Sequence, residues 1–127
     1  MKASAFDIKQ QLGRLCSTVE SILALSGMMR GSFGTTNCRC GKSSCWCANT
    51  GEKGHLCTRL MWSDETGAKT RSVRQENIQT VIEAVEQYRE FKLKRRQLRA
   101  EEEQLEELLN DFERETTRNN RSKLGYS

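Results

Sequence analysis

Five of the chain's six cysteines and its single histidine crowd into residues 38–57. They run as Cys38-Arg39-Cys40-Gly41-Lys42-Ser43-Ser44-Cys45-Trp46-Cys47, followed by His55 and Cys57. Zinc takes four soft or borderline ligands in a tetrahedron, and Cys-x-Cys pairs with a nearby histidine supply them within one short loop. Gly41, Gly51 and Gly54 give the backbone the tight turns such a wrap requires, and Lys42 beside the thiols favours their ionised form. The first-choice ligand set is Cys40, Cys45, Cys47 and His55, with Cys38 and Cys57 in reserve. An all-thiolate set of Cys38, Cys40, Cys45 and Cys47 is the sterically tighter alternative. Trp46 and Trp62 are expected to pack over the site. Cys16 lies apart from the cluster and reads as a small buried residue beside a helical seam.

The rest of the chain offers little material for a globular core. Only 35% of its 127 residues are hydrophobic, and 30% are charged. An extended or helical assembly fits such a composition better than a compact enzyme. No apolar run is long enough to span a membrane, and the N-terminus lacks an apolar signal core. The expected location is therefore the cytoplasm, where clustered cysteines serve metals more often than disulfides. A secreted six-cysteine disulfide scaffold is the rival reading.

Two stretches flanking the cysteines carry helical patterns. Ile8, Leu12, Leu15, Val19, Ile22 and Met29 follow a heptad spacing, with Ser26 in the missing step. This predicts an N-terminal helix within residues 1–30, capped by Ser4 with Asp7 three residues on. Residues 75–118 contain no glycine or proline and repeat Phe91, Leu98, Leu105 and Phe112 every seven residues, which predicts a long C-terminal helix. Lys94, Arg95, Glu101 and Glu102 interrupt its seam, so it needs a partner helix or stays partly solvated. Between the helices, residues 31–74 form a zinc-binding knob and a β-hairpin, with strands 56–62 and 69–73 around a turn at 63–67. Residues 119–127 read as a flexible tail. The expected fold is mainly α: two long, coiled-coil-like helices flanking a small zinc-binding loop with a β-hairpin.

Charge is unevenly spread along the chain. Residues 30–74 hold eight Lys or Arg against three acids, whereas residues 75–127 hold ten basic and twelve acidic side chains. The basic excess belongs to the cysteine-bearing middle, where Arg39, Lys42, Arg59, Lys69, Arg71 and Arg74 are candidates for contact with DNA phosphates. The helices are expected to pair with each other, with a second copy, or with a protein partner. The alternative is an adaptor that acts through its helices without touching DNA. Enzymatic zinc keeps an open ligand position and a nearby base; no such motif is present, and a non-catalytic protein is expected.

The stretch Cys40-Gly41-Lys42-Ser43-Ser44-Cys45-Trp46-Cys47-Ala48, then His55, then Gly67-Ala68-Lys69-Thr70-Arg71-Ser72, then Val85-Glu86-Gln87-Tyr88-Arg89-Glu90-Phe91 resembles a family of small prokaryotic proteins of unassigned function. Their pattern is C-G-K-x-x-C-x-C-A, a glycine-containing spacer, H, a hairpin with G-K-T-R-S and a helix. The resemblance covers residues 30–98 and implies Cys40, Cys45, Cys47 and His55 as metal ligands. It also implies association with mobile elements, as an accessory to a transposase or site-specific recombinase. Two departures stand out. Leu56-Cys57 replaces the family's Gly-Pro-Tyr after the histidine, and no proline separates the hairpin from the helix.

Overall fold

A computed structural model describes residues 4–126. It corrects the expected pair of long flanking helices. There is one long helix, α2, Ile78–Lys123, of 46 residues, and the hairpin is part of a three-stranded antiparallel sheet. The N-terminal helix α1, Ala5–Leu23, has 19 residues and stops short of the expected end near Met29. Ser26 and Gly27, poor helix formers, follow its last turn. The chain there makes other bonds: the Gly27 N–H donates to Gln87 Oε1, and the Met29 N–H donates to the Ala84 carbonyl.

The sheet has the order β1, β2, β3, with β1 at Ser32–Cys38, β2 at His55–Asp64 and β3 at Gly67–Ser72. Strand β1 is an addition to the two strands expected from the sequence. Its threonines are β-branched and suit a strand, and as an edge it needs only one paired side. The β2–β3 turn is tied by Asp64, whose carboxylate accepts from the Thr66 N–H and hydroxyl at 2.8 and 2.6 Å. Those bonds, the hydroxyl first, hold the Asp64 pKa below its ordinary value. Helix α2 begins after a 3-10 turn, Gln75–Asn77, and continues past Arg118 into the stretch expected to be a tail.

The molecule divides into two compact units, residues 26–90 and residues 1–25 with 91–127. In the first, cross-strand register places Phe33, Leu60 and Arg71 on one face of the sheet, and Gly34, Arg59 and Ser72 on the other. The start of α2 covers the Leu60 face. Leu60, Trp62, Val73 and Val81 line one cleft there, and the Arg89 guanidinium lies 6.0 Å from the Phe33 ring centroid. Ala84 and Val85 supply the buried apolar side chains of this helical segment.

In the second unit, α1 lies against the later part of α2. Gln11 Nε2 donates to the Glu101 carbonyl at 2.9 Å, and Thr18 Oγ1 donates to the Glu101 carboxylate at 2.8 Å. Helical side chains lean toward the N-terminus of their helix. Thr18 therefore meets α2 at a level N-terminal to Gln11's contact, and the helices run antiparallel. The seam uses Gln11 and Thr18, both buried, rather than the predicted Leu12 and Val19, which are exposed. Cys16, expected to be buried, is also exposed.

Helix α1 starts as its sequence predicts. Ser4 Oγ accepts from the Asp7 N–H at 3.1 Å, and the Asp7 carboxylate accepts from the Ser4 N–H at 3.1 Å. Ser4→Ala is expected to destabilise the helix by about 1 kcal/mol, read as a lower thermal midpoint by circular dichroism. The bonds from Ser4, its hydroxyl first, hold Asp7 below its ordinary pKa of 3.8. A depressed carboxylate stabilises the fold above that pH, and the contribution disappears as pH falls below it. The capping effect of Asp7→Asn should accordingly be visible at neutral pH and vanish in strong acid.

Candidate metal centre

The last residue of β1, the loop after it and the first residue of β2 build the site. Beyond Cys38 the chain turns at residues 39–45, and the Cys45 N–H bonds to the Lys42 carbonyl at 3.1 Å. A single 3-10 turn, Trp46–Ala48, then follows Cys45 and places Cys47 in the interior, where it is among the few fully buried side chains. His55 enters from the start of β2. These segments bring the Sγ atoms of Cys40, Cys45 and Cys47 and a ring nitrogen of His55 within 4.8 Å of one another. Tetrahedral zinc with bonds of about 2.3 Å to sulfur sets ligand-to-ligand edges of roughly 3.8 Å. Two separations fall somewhat below that value, Cys40 Sγ to Cys47 Sγ at 3.5 Å and Cys45 Sγ to His55 Nε2 at 3.1 Å, and none exceeds 4.8 Å. The cluster can hold a metal ion, and its four members are the first-choice set read from the sequence.

The electrostatics of the cluster suit a cation. The Cys40 thiol is lowered to about 6, first by the Lys42 backbone N–H and then by the Cys47 and Cys45 thiols. Cys47 receives the Cys40 N–H at 3.4 Å, which lowers its pKa. Burial and the adjoining Cys40 and Cys45 outweigh that bond, so its net shift is upward. One thiolate therefore forms readily, and a second beside it is costly until a positive ion arrives. The Trp46 ring meets His55 edge-on, with centroids 4.8 Å apart. Trp62 takes no part: it lies seven residues along β2 and on the opposite face of the sheet.

Cys38 and Cys57 stand outside the ligand group, joined to each other as a disulfide with Cα atoms 6.2 Å apart. Strand pairing explains why they meet. Cys38 opposes His55, Cys57 opposes Thr36, and both side chains fall on the same sheet face as neighbours on the diagonal. The loop they close contains all four candidate ligands. Without β1 recognised as a strand, nothing in the spacing revealed this pair.

Arg39 also has a role that the sequence did not reveal. Its guanidinium donates to the Cys47 carbonyl at 2.9 Å and to the Glu52 carbonyl at 3.5 Å, clamping both sides of the knob. The other basic candidates do not converge. Lys42 is exposed in the cysteine loop, and Arg59 shares a face with His55 and Cys57. Lys69 and Arg71 lie on the opposite face with Trp62 and Leu60, and Arg74 approaches Glu76 at 4.0 Å. No helix among the described residues is long and apolar enough to cross a membrane.

No family model matches the chain, and comparison with curated proteins and with solved structures found no match.

Proposed function

We propose that the chain is a non-catalytic zinc protein that binds DNA and acts as an accessory to a transposase or recombinase of a mobile element. One observation carries the metal half of this reading: three thiols and one imidazole converge within 4.8 Å. Four protein ligands fill a tetrahedral zinc shell and leave no position for substrate or activated water, which is the arrangement of structural zinc. The zinc then fixes the course of residues 38–57 and anchors the adjoining ends of β1 and β2.

The DNA half rests on the third strand. β3, an edge strand, has no acid among its residues. It carries Lys69, half-buried, and Arg71, exposed, on the face that the start of α2 packs against, and Arg74 lies two residues beyond its end. A cationic strand edge can lie along a phosphate backbone. The mobile-element setting is supported by the sequence resemblance alone. A second reading, an adaptor acting through its helices, is favoured by the opposite placement of Arg59 and the Lys69–Arg71 pair, which leaves no single patch holding every basic candidate.

Fluorescence anisotropy with duplex DNA across a salt series separates the two readings. The expected result is binding that weakens with salt. A Lys69→Ala, Arg71→Ala, Arg74→Ala variant should lower the slope of log K against log salt by about 2–3, one phosphate contact per residue. Binding that is absent at low salt, or unaffected by the triple change, would favour the adaptor.

A further inference from the structure

Among the described residues, the unit built from α1 and the later part of α2 buries only two side chains, Gln11 and Thr18, and both are polar. Ile8, Leu15, Ile22, Leu98, Leu105 and Leu108 are half-buried, and other apolar residues are left at the surface. Leu12 is 51% exposed, Val19 39%, Leu23 74% and Leu109 41%. Burial of apolar area is the main force that holds helices together, and here no apolar side chain among the described residues of this unit is fully buried.

The exposed residues are not scattered. Leu12 and Val19 each follow a buried residue by one position, about 100° around the helix. On α2, Arg95, Glu102 and Leu109 follow the half-buried Lys94, Glu101 and Leu108 in the same way. In an antiparallel pair of right-handed helices, these following positions emerge on the same side. The positions preceding the seam emerge on the other side, and apart from Leu93 and Ala100 they are polar, among them Asp7, Arg14, Ser21, Gln97 and Gln104. One face of the helix pair is therefore mostly polar, with Leu93 its one exposed large apolar side chain among the described residues, and the other carries the apolar row of α1. On that second face α1 presents Leu12, Cys16, Val19 and Leu23, spaced 4, 3 and 4, the seam of a further helix contact.

The geometry points to a second copy of this chain as the partner, docked face to face and antiparallel about a two-fold axis. Charge on α2 selects this occupant. The stripe of α2 beside the α1 seam reads Arg95 and Arg99, then Glu102 and Glu106. It is self-complementary when a second copy is reversed, and self-repelling when the copies run parallel. An in-plane two-fold axis across the helices lays α1 on α1 and α2 on α2, each reversed. The α1 seam is centred midway between Cys16 and Val19. Through the Gln11 and Thr18 contacts with Glu101, that level lies within about one turn of the sign change on α2. One axis thus satisfies both helices: Leu12 meets Leu23 of the other copy, Cys16 meets Val19 and lies within one turn of its own symmetry mate, and Arg95 meets Glu102.

Sedimentation of the full chain, loaded with zinc chloride, tests the arrangement. The expected result is a dimer across the micromolar range that becomes a monomer on Leu12→Glu with Val19→Glu. Both positions face solvent within the chain, so helical content by circular dichroism should be retained and shows that the variant folds. Arg95→Glu alone should weaken the dimer, by up to about tenfold for two symmetric ion pairs, and adding Glu102→Arg should restore it. A short bismaleimide should link two chains through Cys16, with the link lost in Cys16→Ser. A monomeric wild type, or a dimer indifferent to the Leu12 and Val19 changes, would overturn the proposal. Failure of the double charge swap to restore what the single one loses would overturn the antiparallel arrangement.

Discussion

Protein purified without added metal is expected to carry about one zinc ion per chain, and its removal should unfold residues 38–57 while leaving α1 and α2 helical. The expectation follows from how little else holds that segment. Of the loop between β1 and β2, only Cys47 is a buried apolar side chain, and no strand pairing reaches residues 39–54. The turns there are held by single backbone bonds and by Arg39. Structural zinc in small folds contributes about 10–16 kcal/mol of apparent binding energy at neutral pH, far above what those bonds can supply. Cys47→Ser and His55→Ala should each abolish stoichiometric zinc by elemental analysis. A chelator should change the near-ultraviolet signal of Trp46, whose ring edge meets His55. The measurement belongs in both oxidised and reduced protein. The Cys38–Cys57 disulfide closes the same loop and lowers the entropy lost on wrapping the ion, so zinc should be held in both states and more tightly in the oxidised one. Absence of zinc from the reduced protein, or full zinc content in Cys47→Ser, would remove the metal reading.

The ligand cluster was legible in the sequence because its information is local. Cys40, Cys45 and Cys47 lie within one turn-rich loop, and His55 sits where a glycine-led reversal returns the chain. Ligand type and short spacing are enough to nominate such a set. The hairpin of β2 and β3 was also legible, and what escaped was everything that depends on the pairing of β1. No strand is expected ahead of the cysteine cluster from the sequence, so β1 stayed invisible. With it went the diagonal between Cys38 and Cys57. Arg39 was counted as a free cation because a sequence shows charge but not the two carbonyls that capture it. On the helical side, the period was legible but the phase was not. Ile8, Leu15 and Ile22 fit two adjacent seams equally well, and the buried bonds from Gln11 and Thr18 to Glu101 select the polar one within the chain. That choice leaves Leu12 and Val19 outward. The apolar heptad read from the sequence is thus largely a surface of the folded chain, which is why it bears on a second copy rather than on the monomer's own core.

Replacing Gly54 with alanine is expected to cost more than any other single-methyl change in the knob. Gly54 is buried and has φ +93°, a left-handed conformation that costs a residue with a Cβ about 1–3 kcal/mol. A Cβ there would also lie 2.6 Å from the Cys38 carbonyl oxygen and 3.0 Å from its carbonyl carbon, and this backbone belongs to a paired strand that cannot yield cheaply. Relief requires β1 and the start of β2 to separate, which carries His55 away from the three thiols and strains the Cys38–Cys57 link. Gly41→Ala is the matched control. It has φ +83° in the same loop, but nothing lies within 4 Å of the added methyl. Gly41→Ala should therefore show only the backbone cost and keep its zinc. Gly54→Ala should lose thermal stability and bind zinc at least tenfold more weakly in a competition titration, a difference of about 1.4 kcal/mol or more. Equal zinc affinity in the two variants would mean that the close approach of Gly54 to β1 does not position His55, and that the histidine reaches the thiols by a route independent of the strand pair.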